Sequence, residues 1–166
     1  GLDWASGKKA AVINMSLSGP ADALLQKAIS ALTRNGTVVV AAAGNGGAGV
    51  PAAFPAAYDD VIAVTATDSS DGLYAQANHG SYIDIAAPGV EVLSPSLESA
   101  YSMTSGTSFA AAHVSGVVAL MLSRRPGMTP AEVRRALEAG ATDLGQPGVD
   151  AEFGSGLVNA LNALRQ

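Results

Sequence analysis

The sequence predicts an α/β fold in which a parallel sheet is flanked by helices. Three observations carry that prediction. Two short apolar runs rich in β-branched residues, 10–16 and 37–43, enclose a segment with helical spacing. Strand, helix and strand within about 35 residues make a βαβ unit, so the two strands run parallel. Residues 109–122 carry no charge, and only His113 and Ser115 among them are polar. A helix apolar on every side is expected to be buried, packed on both flanks. Finally, 48% of the residues are apolar, yet the chain has only three Phe, four Tyr and one Trp. Such small side chains suit closely packed helix-on-sheet layers.

Composition narrows the function. The 166 residues are one domain's worth of chain, long enough for a real core. The net charge is −5 with no basic cluster, which argues against a nucleic-acid partner. No apolar run reaches the roughly 18 residues needed to span a bilayer, so no membrane partner is expected. The absence of cysteine excludes disulfides and thiolate metal sites. Gly1-Leu2-Asp3-Trp4 has no signal-peptide character.

The elements follow in order. Leu2, Trp4 and Ala5 read as the end of an amphipathic helix, closed by the Gly7-Lys8-Lys9 turn. The strand 10–16 comes next. Pro20 and Asp22 then open a helix with Leu24, Leu25, Ala28, Ile29 and Leu32 on one face, and Asn35-Gly36 caps its end. Strand 37–43 lies parallel to the first, so both end at the sheet edge where open α/β sheets bind ligands. A third buried strand spans 61–67, and a short one spans 83–86, ending at Ala87-Pro88-Gly89. Residues 90–93 and 101–103 read as edge strands joined by a loop. Pro126-Gly127 breaks the chain after the central helix. Thr129-Pro130-Ala131-Glu132 is a capping box that opens the next helix, with Val133 and Leu137 facing inward and Arg134-Arg135 solvated. Gly154-Ser155-Gly156-Leu157-Val158-Asn159 turns into a last short helix.

Gly116, in mid-helix, costs roughly 1 kcal/mol against alanine, which suggests close approach by another element. Ser108 lies in the first turn of that helix, where free N–H groups and the dipole favour negative charge. There a serine attacking a carbonyl would have its oxyanion stabilised. Taken alone, Ser108 reads first as a helix-capping serine, and the matching segments reverse that order. Gly106-Thr107-Ser108-Phe109-Ala110-Ala111-Ala112-His113-Val114-Ser115-Gly116 resembles the nucleophile motif of the subtilisin-like serine proteases, the subtilases. One position departs: Ala112 stands where the family usually has proline. Alanine restores a backbone donor, so a more regular helix is expected.

Other segments match the same family. Asn14-Met15-Ser16-Leu17, followed by Gly19, resembles the stretch that pairs with substrate backbone, with Ser18 where glycine is more usual. Ala42-Ala43-Gly44-Asn45 resembles the opposite pocket wall, closed by the oxyanion-hole asparagine. Phe54-Pro55 resembles the family's aromatic–proline step with its cis peptide. Ala87-Pro88-Gly89 and the closing Gly-x-Gly segment, Gly154 to Gly156, also match.

The resemblance implies a three-layer αβα, subtilisin-like fold and a serine endopeptidase acting on protein or peptide substrates. Ser108 and Asn45 would be catalytic. Ser16, Leu17, Ser18, Gly19, Ala42, Ala43, Gly44 and Thr107 would line the substrate. No cofactor is required. In some members the backbone from Ala56 through Tyr58 to Val61 binds a weak monovalent or calcium ion, and no clustered carboxylate site is apparent here. Asp59-Asp60 reads as a solvated turn. Family analogy suggests an extracellular or periplasmic enzyme.

The catalytic arithmetic does not close within the chain. Serine attack needs a base within hydrogen-bond reach and a group orienting that base. His113 is five residues past Ser108, about 7.5 Å along the axis and roughly 140° around it, and reads as a buried, hydrogen-bonded helix histidine. His79 sits in a polar turn, and the family position it matches is not the base. The resemblance places the aspartate and the base histidine upstream of anything present. Residues 1–166 therefore correspond to the C-terminal portion of a subtilisin-like peptidase domain, without its Asp- and His-bearing N-terminal portion. That complementary fragment is the expected partner.

Two other readings compete. Gly44-Asn45-Gly46-Gly47-Ala48-Gly49 matches a dinucleotide fingerprint after a strand, but such a fold needs a helix to open there, and Pro51 and Pro55 follow instead. A subtilase-like module kept for binding alone is the other. An α/β-hydrolase is disfavoured because its histidine must follow the serine, and none occurs after His113.

Overall fold

The computed structural model describes residues 1–97 and 100–166. Four parallel strands, β1 (Val12–Met15), β2 (Val38–Ala42), β3 (Val61–Thr67) and β4 (Ile85–Pro88), form one sheet in the order β1-β2-β3-β4. β2 and β3 are buried along their whole length. Their unbroken apolar character reflects a sheet covered on both faces, where side chains of both parities must avoid water.

The two faces have separate cores. On one, Val38, Val40, Ile62, Val64 and Ile85 pack against α3 (Thr107–Arg124) and α4 (Pro130–Gly140), with Ala163 of the short α5 (Ala160–Ala163) at the margin. On the other, Val39, Ala41, Val61 and Ala63 meet Ile29 of α2 (Ala23–Arg34), Ala56 and Tyr58, with Leu2 of α1 (Leu2–Gly7) packed alongside. The expected three layers are present. A two-stranded antiparallel ribbon, β5 (Val92–Pro95) and β6 (Tyr101–Thr104), stands apart from the main sheet. The connection between its strands includes Glu98 and Ser99, which lie outside the described residues.

Local signals act as anticipated at several element ends. The Asp22 carboxylate accepts the Leu25 N–H at 2.7 Å to start α2. Thr129 and Glu132 form the reciprocal capping box of α4. The Phe54–Pro55 peptide is cis.

Several expectations need correction. β4 lies two residues later than 83–86, because pairing of Val64 with Ile85 sets its register. Leu24 is exposed, since the inward face of α2 is formed by Leu25, Ala28, Ile29, Leu32 and Thr33. Arg134 is not solvated: its guanidinium pairs with Asp84 and donates to the carbonyls of Asp59 and Val61. α3 is not buried on both flanks either. Ala110, Ala111, Val114, Val118 and Met121 face the sheet, whereas Ala112, His113, Gly116, Ala119 and Leu120 are exposed. His113 is therefore exposed, with Nδ1 3.0 Å from the Phe109 carbonyl oxygen. Among the described residues nothing lies within 4 Å of the position a Gly116 side chain would take. The sheet covers one flank of α3, and among the described residues the other flank is left largely exposed.

Candidate active site

The C-terminal ends of β1 and β2 and the first turn of α3 converge at one edge of the sheet. α3 runs unbroken through Ala112. It starts at Gly106, whose φ of 155° and ψ of 156° fall in backbone space open essentially to glycine. Gly106 N–H donates to the Gly89 carbonyl at 2.7 Å, so the residue just past β4 fixes where α3 begins.

Asn45 follows β2 and reaches that first turn. Its Oδ1 accepts both the Thr107 N–H and the Thr107 hydroxyl, each at 3.0 Å. The amide oxygen is thereby held, and among the described residues Nδ2 has no acceptor of its own. Ser108, the next residue, is half-buried. Among the described residues its backbone N–H also lacks an acceptor, as expected for the first turn of a helix. The serine, an N–H at the positive end of an 18-residue helix and an oriented amide therefore share one rim. The first turn of α3 contains no acidic residue, so nothing there opposes a developing negative charge.

The expected site residues fall into two groups. Ser108, Asn45, Ser16, Leu17, Ser18 and Gly19 lie at or near the surface along this edge, and Leu17 is 55% exposed. Gly19 pairs with Phe54 in an antiparallel bridge, its N–H donating to the Phe54 carbonyl at 2.8 Å. The Ser16 hydroxyl donates to the Ser108 carbonyl at 3.0 Å, tying β1 to α3. Ala42, Ala43, Gly44 and Thr107 are buried. Thr107 Oγ1 accepts the Gly44 N–H at 3.2 Å while it donates to Asn45. Its place is that of a positioning residue beneath the rim.

Several supporting residues escape sequence reasoning. Asn78, 3% exposed, accepts the Gly46 N–H at 2.8 Å. Its side chain fills the space where a Cβ on Gly44 would go, and Gly44 has φ 114°, so glycine is required there twice over. The Tyr82 hydroxyl donates to the Ala43 carbonyl at 2.8 Å. Ser115 donates to Asn14, and Asn14 to Ser16, at 3.1 and 2.9 Å. Only the rule that a buried amide needs partners could have flagged Asn78.

Neither histidine is placed to serve Ser108. His79 lies 3.6 Å from Glu152, and His113 is occupied on the outer side of α3. Among the described residues no group of three or more His, Asp or Glu side chains could hold a metal ion, and no helix is long and apolar enough to cross a membrane.

Comparison with known proteins agrees with this geometry. Residues 1–156 match the Subtilase family, and the chain belongs to it. It is 41% identical to M-protease of Shouchella clausii and 40% identical to Subtilisin Savinase of Lederbergia lenta, each across 99% of its length. It spans 43% and 60% of those two relatives respectively. Fervidolysin from Fervidobacterium pennivorans, described as a keratinolytic enzyme related to subtilisin, superposes with a TM-score of 0.91 at 31% identity. That match covers all of this chain and 28% of fervidolysin.

Proposed function

We propose that this chain is the nucleophile-bearing portion of a serine endopeptidase that acts on protein or peptide substrates. The observation that carries the proposal is the shared rim: Asn45 clamps the N–H of Thr107, one residue before Ser108. In the proposed reaction the Ser108 hydroxyl attacks the scissile carbonyl. The oxyanion that forms is met by Asn45 Nδ2 and the Ser108 N–H, neutral donors that need no reorganisation. The proton leaves Ser108 for a histidine, oriented by an aspartate, on the complementary N-terminal portion. Ser16 to Gly19 form one wall, Ala42 to Gly44 back the other from beneath the rim, and their uncharged character favours an apolar side chain before the cut.

The open side of α3 supports a complementary partner. Ala112, Gly116, Ala119 and Leu120 present an apolar strip, and a cleft of about 400 Å³ runs beside it between Phe109 and Val92. The chain spans 43% and 60% of two curated relatives, which supports reading that partner as the portion carrying the base. The name of one relative, "Minor extracellular protease Epr" of Bacillus subtilis, favours an extracellular or periplasmic setting.

The test is reconstitution. The chain alone should show negligible peptidase activity, and addition of the N-terminal portion should restore it. Ser108→Ala should then remove about 10⁶ in turnover, the scale known for subtilisin itself. Robust cleavage by the 166-residue chain alone, abolished by Ser108→Ala, would refute the division of labour. No activity in the combined portions would favour a binding module.

A further inference from the structure

The turn from Ala56 to Val61, whose backbone binds a weak ion in some subtilases, contains an occupant of its own. A cleft of about 350 Å³ there is lined by Ala56, Tyr58, Asp59, Tyr82, Asp84 and Arg134. A hard cation would need several of its oxygens, since calcium takes about six to eight. Among the described residues the Ala56 carbonyl accepts no hydrogen bond, whereas the other oxygens each accept one N–H. The Tyr58 carbonyl accepts the Val61 N–H at 2.9 Å. The Val61 and Asp59 carbonyls accept from Arg134 Nη2 at 2.7 and 2.8 Å. One Asp84 oxygen pairs with Arg134 Nη1, and the other accepts the Ala63 N–H at 2.7 Å.

We propose that Arg134 is the resident cation of this turn: its guanidinium takes the carbonyl and carboxylate oxygens an inorganic ion would otherwise bind, so the turn is held without metal. Charge carries the argument. An ion bound to the Val61 carbonyl at calcium's distance would sit within about 5 Å of the guanidinium, whose charge does not titrate away. The planar fork suits the site because one nitrogen bridges two carbonyls while the other meets a carboxylate. Burial pushes Asp84 above the usual carboxylate range, against the lowering effects of the Arg134 charge and the Ala63 N–H. Its ionised form therefore depends on a nearby positive charge. Arg134 is delivered by α4, whose start is fixed by the Thr129–Glu132 capping box and whose inner face is anchored by Val133 and Leu137. The guanidinium thus pins α4 to the start of β3 and to the residue preceding β4. This inference stands apart from the peptidase reading and concerns stability alone.

The test compares wild type with Arg134→Ala and Arg134→Lys in the full-length protein. Calcium stoichiometry is measured by titration calorimetry, and melting temperature at matched ionic strength with choline, rubidium or calcium chloride. Arg134→Ala should melt lower, gain one calcium equivalent over wild type, and recover part of the lost melting temperature with rubidium or calcium but not choline. Arg134→Lys should gain no equivalent. Equal stoichiometry and equal cation response in wild type and Arg134→Ala would overturn the proposal. If Arg134→Ala does not fold, wild-type crystals soaked in rubidium chloride decide: an anomalous peak in coordination distance of the Val61 carbonyl refutes it, and none there supports it.

Discussion

The two sides of α3 are built from the same small residues and have opposite surroundings. Val114 and Val118 on the inner side are fully buried against the sheet, while Gly116 and Leu120, one or two positions away, face open space. The first turn belongs with the inner side: Asn45, Ser16 and Gly89 reach it from three other segments. A helix without a polar face signals two covered flanks, and here the chain itself supplies one. The difference teaches that composition alone does not say which flank of α3 is covered, and its outer side is where the proposed complementary portion would dock.

Substitutions on the two sides should separate cleanly. Asn45 is the largest lever within the first turn. Asn45→Ala should lower turnover about 10²–10³-fold in the assembled enzyme, the range for an oxyanion-hole donor and one established in subtilisin. It should also weaken the start of α3, because the Thr107 N–H loses its acceptor. Asn45→Asp keeps that acceptor but not the donor, so melting temperature should be largely restored while turnover stays low. If Asn45→Asp retains full turnover, the amide is not the oxyanion donor.

Core and outer face differ next. Val114→Ala on the inner side removes fully buried methyl groups and should cost about 2 kcal/mol in chemical denaturation of the assembled protein. Gly116→Leu on the outer side meets nothing within the chain and should raise helix propensity by up to about 1 kcal/mol. It should nevertheless weaken binding of the N-terminal portion at least about tenfold, read by titration of the two portions. Unchanged binding in Gly116→Leu would remove the outer face from the interface.

The smallest effect sharpens the contrast between helix starts. α4 is capped by its own neighbours, α3 by a residue 62 positions away. Thr129→Ala should therefore cost about 1 kcal/mol without changing turnover. Glu132, which accepts the N–H and hydroxyl of Thr129, is held below the usual glutamate range chiefly by those bonds. For a depressed acid the stabilisation is present above the unfolded-state pKa and fades as pH falls through the folded value. The Thr129→Ala deficit should accordingly shrink in strongly acidic solution, as measured by denaturation across pH.

Much of this was legible in the sequence because it rests on local chemistry. β3 begins and ends at Val61 and Thr67 as read, since a run of apolar residues between turns permits little else. Asp22, Asn35-Gly36 and Thr129-Glu132 each act on their own backbone and marked their helix ends. Ser108 and Asn45 were visible through family motifs, each ordinary by itself. What stayed hidden depends on distant partners. Arg134 looked solvated because its acceptors lie about 50 to 75 residues away in sequence. Thr107 and Asn78 carry no periodic signal, and their places follow from loops packing together. His113 looked buried because its neighbours in sequence are apolar, although its side of α3 is open.

In the proposed enzyme Ser108 becomes a nucleophile when the N-terminal portion covers α3. The most direct measurement is labelling with a serine-directed phosphonate, with the modified residue mapped by mass spectrometry, in the presence and absence of that portion. Adduct on Ser108 that appears only when both portions are combined, and is lost in Asn45→Asp, is the predicted result. No adduct on Ser108 with both portions bound, or an adduct on another serine that tracks activity, would contradict it.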